Sequence, residues 1–354
     1  MPFDKRIELI REFPDRSIKW LLETPDNLHG LLLVVADNLA DMIDYKRIKL
    51  LDRTFISDDF RKLEADIVFK APFLYEDCSV TNEVIIYILI EHQSSVDNEI
   101  AFRVLSYMIR IWESQRKEWS NSNISIDQRR FNTILPIVFY TGSQQWSELK
   151  GMRQLVDIPP MLEGLIPQHE IYFLNLKASS TDRLVKKDNP FGWILTVMNK
   201  ENSDSKEFEK VVCEVSEHLQ GMSESELENW TKLMHFLLAL IYHRRDREEH
   251  ERLLKIIEET IPEKTRKEDV KEMGQTMAQY LIEQGEKKGK IEGKIEGKKE
   301  GLVEAVSLGL ELKFGPDGLI LMEKVQKVES LERLELIKEA IKINNNLSDI
   351  EKLI

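Results

Sequence analysis

Glu91 ends an unbroken apolar run, Val84-Ile85-Ile86-Tyr87-Ile88-Leu89-Ile90. A carboxylate at the end of such a run is costly unless it is paired or holds a metal. A second acid, Asp66, lies in a segment where Leu63, Ala65, Ile67 and Phe69 alternate with Glu64, Asp66, Val68 and Lys70, the period of a strand. Glu91 and Gln93 are two apart, so they project to one side, roughly 7 Å along the strand, while His92 points the other way. If the two segments are antiparallel neighbours, Asp66 and Glu91 converge on one cation. Two hard carboxylate oxygens, with water and a phosphate completing the shell, suit Mg²⁺ or Mn²⁺.

The elements that must position these groups follow from periodicity. Val84 to Ile90 is apolar on both faces, which predicts a central strand covered on both sides. Asp97-Asn98 then caps a predicted helix from Glu99 to Trp119, with Ile100, Val104, Leu105, Met108, Ile109 and Trp112 as its buried stripe. Arg103, Tyr107 and Arg110 share another face. That face either looks across the site towards a phosphate, or is a surface on which Glu99 pairs Arg103.

Upstream, Pro14 and Pro25 punctuate a short helix. Asp26-Asn27 caps a longer one reaching Tyr45, with Asp37, Asp41 and Asp44 on a solvated face. Ile48 to Phe55 is expected as a strand and Lys70 to Glu83, with Pro72, as a turn region. Residues 120 to 130 are expected as a loop, and Ile134 to Tyr140 and Glu170 to Leu176 as further strands. Trp146 is expected to pack at the domain edge. This order describes an α/β sheet of mixed direction.

Asp66 with the Glu-x-Gln at 91 to 93 resembles the PD-(D/E)XK nuclease superfamily. More narrowly, the chain resembles the Rpn family of recombination-promoting nucleases, also called YhgA-like putative transposases. That likeness is carried by Asp58-Asp59-Phe60-Arg61-Lys62-Leu63-Glu64-Ala65-Asp66-Ile67-Val68-Phe69, Leu89-Ile90-Glu91-His92-Gln93-Ser94 and Arg103-Val104-Leu105-Ser106-Tyr107. Further matches are Leu135-Pro136-Ile137-Val138-Phe139-Tyr140-Thr141-Gly142, Trp146, Leu39-Ala40-Asp41 and Asp44-Tyr45. It covers about residues 10 to 200. The family usually opens with a His-Asp pair; here Pro14 precedes Asp15, so that histidine is missing.

The resemblance implies a PD-(D/E)XK-type mixed sheet flanked by helices and a metal-dependent DNA endonuclease. Asp66 and Glu91 would be direct ligands, with the backbone carbonyl of His92 a third, and Arg103, Tyr107 and Arg110 would meet the substrate. Gln93 stands where the superfamily more often has lysine, although glutamine is the Rpn-type pattern. It can donate and accept hydrogen bonds but supplies no cation. Lys70 shares Asp66's face roughly 13 Å along the strand and would have to reach far to compensate. Glu64 would bind a second metal or hold Arg61 or Lys62. A superfamily first-helix acid, Asp41 or Asp44 here, often joins such a site. The alternative from another class is a catalytically weak DNA-binding or assembly protein on the same fold.

The net charge of −13 weighs against a generally nucleic-acid-coated surface and predicts modest, salt-dependent DNA affinity. Cys78 and Cys213 sit in unrelated contexts and make neither a disulfide framework nor a zinc site. No signal pattern opens the sequence and no apolar run suits a membrane span, so a cytoplasmic location is expected.

Four parts are expected: a nuclease-like domain over 1–180, a helical region over 181–280, a repeat over 281–301 and a small helical tail over 302–354. His235 and His243 in the helical region read as core or surface histidines, and His243 to Arg247 as a basic helix end. Gly285, Gly289, Gly293, Gly297 and Gly301 recur every four residues in Gly-Lys-Ile-Glu units. Like charges then stack at i, i+4, and each mid-helix glycine costs about 1 kcal/mol. The repeat is therefore either a semi-ordered spacer or a close-packed helix contact between copies, making the chain a homo-oligomer through its C-terminal repeat and tail.

Overall fold

The computed structural model describes residues 13–51, 67–74, 84–121, 124–343 and 346–354. Its contacts divide the chain into two compact units, Met1–Met277 and Ala278–Ile354.

Among the described residues, the first unit is built on a five-stranded sheet in the order β1-β2-β3-β4-β5. The strands are β1 (Lys49–Leu50), β2 (Ile67–Phe73), β3 (Val84–Gln93), β4 (Thr133–Tyr140) and β5 (Tyr172–Asn175). β1, β2 and β3 pair antiparallel, whereas β4 lies parallel to β3 and β5 parallel to β4. β3 is central, as its two-faced apolar run requires, and Ile88, Leu89 and Ile90 are fully buried.

Among the described residues, three helices precede the sheet: α1 (Asp15–Leu22), α2 (Pro25–Val35) and α3 (Asp37–Ala40). The helix expected as one piece to Tyr45 breaks at Ala36, whose φ and ψ are −147° and 54°. Its start is also shifted. Thr24 occupies the N-cap and Pro25 the first turn, where a missing N–H costs nothing. The turn expected from Lys70 onward is instead strand through Phe73. Pro72 fits because its carbonyl, not an absent N–H, makes the local bond, accepting from Asp44 N at 3.0 Å.

α4 (Ile100–Ser120) is the crossover from β3 to parallel β4. Ile100, Val104, Tyr107 and Met108 pack with Tyr87, Leu89, Val138 and Tyr140. Trp146 joins this core, its ring 5.0 Å from Tyr140 and 5.3 Å from Phe173.

A helical layer follows: α5 (Pro190–Asn199), α6 (Ser205–Gln220), α7 (Leu227–Arg244) and α8 (Arg247–Thr260). Within it, Arg245 meets Glu249 through two bonds of 2.7 and 3.0 Å and gives its remaining nitrogen to the carbonyls of Glu201 and Ser203. The Arg245 guanidinium, and secondly Ser205, hold the Glu249 carboxyl below the ordinary value of 4.5. A depressed folded value means that the stability is present above about pH 4.5 and is lost as pH falls through the folded value. Thermal unfolding should therefore show an acid-side loss that Glu249→Gln makes shallower; an unchanged acid limb would remove the pair from the cause.

α9 (Lys264–Leu319) begins in the first unit and continues into the second. Its run is interrupted at Gly315, with φ 61°, a conformation that side chains resist; Pro316 then starts the next turn. In the second unit, Leu302, Val306 and Leu310 pack with Leu321, Val325, Leu334, Ile337, Ile341 and Ile350. Leu334, Ile337 and Ile341 lie on α10 (Leu331–Ile343) and Ile350 on α11 (Leu347–Glu351).

All five repeat glycines lie inside α9, and a Cβ added at Gly289, Gly293 or Gly297 meets nothing within 4 Å. Alanine at these three positions should therefore raise helicity, by about 1 kcal/mol each. Circular dichroism with sedimentation would read both consequences. Higher helicity with an unchanged mass would mark a spacer. Loss of a dimer would mark close homotypic packing.

Candidate functional site

Alternation along β3 places Glu91 on the same face as Tyr87 and Leu89, the face covered by α4. Its carboxylate is only 2% exposed. Arg103, one turn into α4, lies across from it, with Nη2 3.7 Å from Glu91 Oε2. The same guanidinium pairs with Asp97 through Nη1 at 3.0 Å. Arg103 Nε and Nη2 are buried and have no hydrogen-bond acceptor among the described residues. Two N–H-bearing nitrogens without acceptors, beside a buried carboxylate at a strand end, leave room in the bonding pattern for an oxyanion.

Asp66 and Glu64 lie outside the described residues, as do Asp58 to Lys62 and Cys78. The next residue, Ile67, opens β2 and has Ile90 as its partner, directly before Glu91. The antiparallel neighbourhood that the two-acid arrangement requires is thus present between β2 and β3. Gln93 donates from Nε2 to its neighbour's carbonyl, His92 O, at 2.9 Å.

His92 points to the opposite face, as expected, where Nε2 is 2.8 Å from Thr141 Oγ1 and the ring lies against Phe139. Thr141 N also donates to Gln93 O at 2.9 Å. The ends of β3 and β4 are therefore tied together beside Glu91. Gly142 follows, and no side chain fits there: an added Cβ would fall 2.3 Å from Ser94 O.

The other predicted residues separate. Tyr107, expected on a polar face, is 3% exposed and belongs to the core between sheet and α4. It lies between the apolar positions 104 and 108, so its ring is drawn inward. Arg110 is half-buried further along α4. Arg103 does not take Glu99 as its ion-pair partner; Asp97 and Glu91 hold it.

Lys70 turns away from the β3 end. Its Nζ sits 3.9 Å from Glu118 near the far end of α4 and over the Tyr87 ring, so it adds no cation beside Gln93.

The upstream acids have cation partners of their own. Asp37 meets Lys186, Asp44 meets Arg47 at 2.6 Å, and Asp41 meets Lys187 and His29. These bonds hold all three carboxyls below the usual range, chiefly through Lys186, Arg47 and Lys187 respectively. His235 packs edge-on to Trp20, and the His243 ring stacks on Phe13 at 5.1 Å.

For a divalent cation, the donors here are hard oxygens: the buried Glu91 carboxylate and the His92 carbonyl. They fit Mg²⁺ or Mn²⁺ in kind. No group of three His, Cys, Asp or Glu side chains able to hold a metal occurs among the described residues, and Asp66 is not one of them. No helix among the described residues is long and apolar enough to cross a membrane.

A family described as putative transposase, YhgA-like, matches residues 14–230. The recombination-promoting nuclease RpnD of Escherichia coli O157:H7 is 27% identical over 138 residues, which is 38% of this chain and 48% of the relative. RpnA of Escherichia coli strain K12 is 28% identical over 177 residues, 44% of this chain and 55% of the relative. The putative inactive recombination-promoting nuclease-like protein YjiP of the same strain is 26% identical over 98 residues, 27% of this chain and 89% of the relative. The chain thus spans about half the length of the first two. No solved structure matches.

Proposed function

The chain belongs to the YhgA-like putative transposase family, and on that premise we propose that it is a metal-dependent DNA endonuclease of the PD-(D/E)XK type. The observation that carries this is the pairing of buried Glu91 with an Arg103 whose Nε and Nη2 lack acceptors. Asp66 and Glu91 would hold Mg²⁺ or Mn²⁺, with the His92 carbonyl beside them. When bound, the cation would lower the pKa of water and offset charge on the phosphate. Arg103 would donate to a non-bridging phosphate oxygen and stay close to Glu91 through Asp97. Gln93 would release its bond to the His92 carbonyl and orient the attacking water. Arg110 would meet the DNA backbone further along α4. Tyr107, being buried, supports the α4 position and would not meet the DNA.

A second reading keeps the fold but makes the protein a catalytically weak DNA-binding or assembly protein. It draws on Gln93 in the lysine position, and on the relative named inactive. In either case the second unit would join copies. Leu308, Leu312, Leu336 and Ile343 are more than half exposed there, and a second copy would cover them. The test is nicking of supercoiled DNA by the full chain at low salt in Mg²⁺, Mn²⁺ or EDTA. Nicking in either metal and none in EDTA is expected. No nicking in either metal would favour the weak-enzyme reading.

A further inference from the structure

At the far end of α4 from Arg103, a groove of about 620 Å³ opens between the helix and the segment leading into β4. The helix supplies Arg116, Lys117 and Trp119, and the returning segment supplies Ile126, Arg129 and Phe131. Three cations line it against one carboxylate, Glu113, in a chain whose net charge is −13. Neither Arg116 nor Lys117 has an ion-pair partner among the described residues, and Arg129 spends Nε and Nη2 only on the Ile124 carbonyl. Beside these cations lies an aromatic shelf. The Phe131 ring is 4.9 Å from Trp119 and 5.8 Å from Trp112, and Phe131 is 50% exposed.

We propose that this groove binds single-stranded nucleic acid, with Arg116, Lys117 and Arg129 on the phosphates and an unpaired base stacked on Phe131. A duplex hides its base faces and would use the cations alone. An exposed ring among guanidinium and ammonium groups is the chemistry of base stacking. Arg103 and Arg116 are thirteen residues apart on one helix, roughly 20 Å at the helical rise. A strand of several nucleotides leaving the Glu91 site would therefore reach the groove. This extends the nuclease proposal, yet it stands on separate residues and can be tested in its absence.

The experiment is fluorescence anisotropy of the full chain in EDTA with a labelled oligothymidylate of about 12 nucleotides. A duplex of the same length and a glutamate-rich peptide serve as competitors. Phe131→Ala should weaken single-strand binding about tenfold and leave duplex binding unchanged. Arg116→Ala with Lys117→Ala, both on an exposed helix surface, should flatten the salt dependence by about 1.4 in log–log slope. Thermal unfolding of each variant identifies any that fails to fold, and the charge pair then decides alone. Wild-type single-strand affinity in both folded variants would overturn the proposal. So would displacement of the oligonucleotide by the peptide as readily as by unlabelled strand. Groove binding is read in EDTA on the residues of the groove and nicking is read in metal, so absent nicking and absent groove binding are separate failures.

Discussion

Glu91→Gln should abolish metal-dependent nicking, by about 10³-fold or more, while the protein stays folded. The substitution keeps shape and removes charge. Glu91 is buried, and the Arg103 guanidinium stands 3.7 Å from it, too long for a hydrogen bond between these two groups. A carboxylate kept there only as an ion-pair partner would leave Arg103 uncompensated when neutralised, at a cost of about 3–5 kcal/mol. Arg103 would still have Asp97, at 3.0 Å and in better geometry. The cost in stability should therefore be small and the cost in activity large. Equal thermal stability with nicking lost would place Glu91 in the chemistry. A large drop in melting temperature would make it a structural acid. Glu91→Ala and Asp66→Ala should both lose nicking as well.

Gly142→Ala should cost the fold heavily where β3 and β4 end. The new methyl would lie 2.3 Å from the Ser94 carbonyl oxygen and 2.5 Å from the Tyr140 hydroxyl. The first is backbone and cannot swing aside. Either the turn after β4 or the end of β3 must move, and overpacking of this kind costs about 1–3 kcal/mol or more. Melting should fall by roughly 5–10 °C. Movement of Ser94 pulls on Gln93, whose carbonyl accepts from Thr141 N, so nicking should fall in the variant fraction that remains folded. Differential scanning calorimetry beside the nicking assay reads both. An alanine variant as stable as wild type would show that the two strand ends are not locked together.

The central strand was legible because Val84 to Ile90, a short β-branched and aromatic run, is apolar at every position, as a strand covered on both sides requires. Glu91 was legible as the residue that breaks that run. The partnership of α4 with Glu91 was half legible. Spacing put Arg103 on a polar face, but three-dimensional placement chose Asp97 and Glu91 over the local Glu99. Tyr107 was misplaced because periodicity assigns faces in steps of about 100°, and an aromatic side chain at the boundary goes to whichever side offers a core. The break at Ala36 was hidden by apolar residues that keep helical spacing on both sides of it. The strand through Pro72 was hidden by a residue type that ordinarily marks turns. The aromatic and basic groove had no linear signal. Trp119 and Phe131 are separated by a polar loop, and only the crossover returning to β4 sets their rings side by side.

The most direct measurement is a calorimetric titration of Mn²⁺ into the full chain without DNA, repeated on Glu91→Gln and Asp66→Asn. One metal site in the wild type that weakens at least tenfold in both folded variants is the predicted result. Wild-type binding that both variants retain, or no binding in any of the three, would contradict a metal centre at the end of β3.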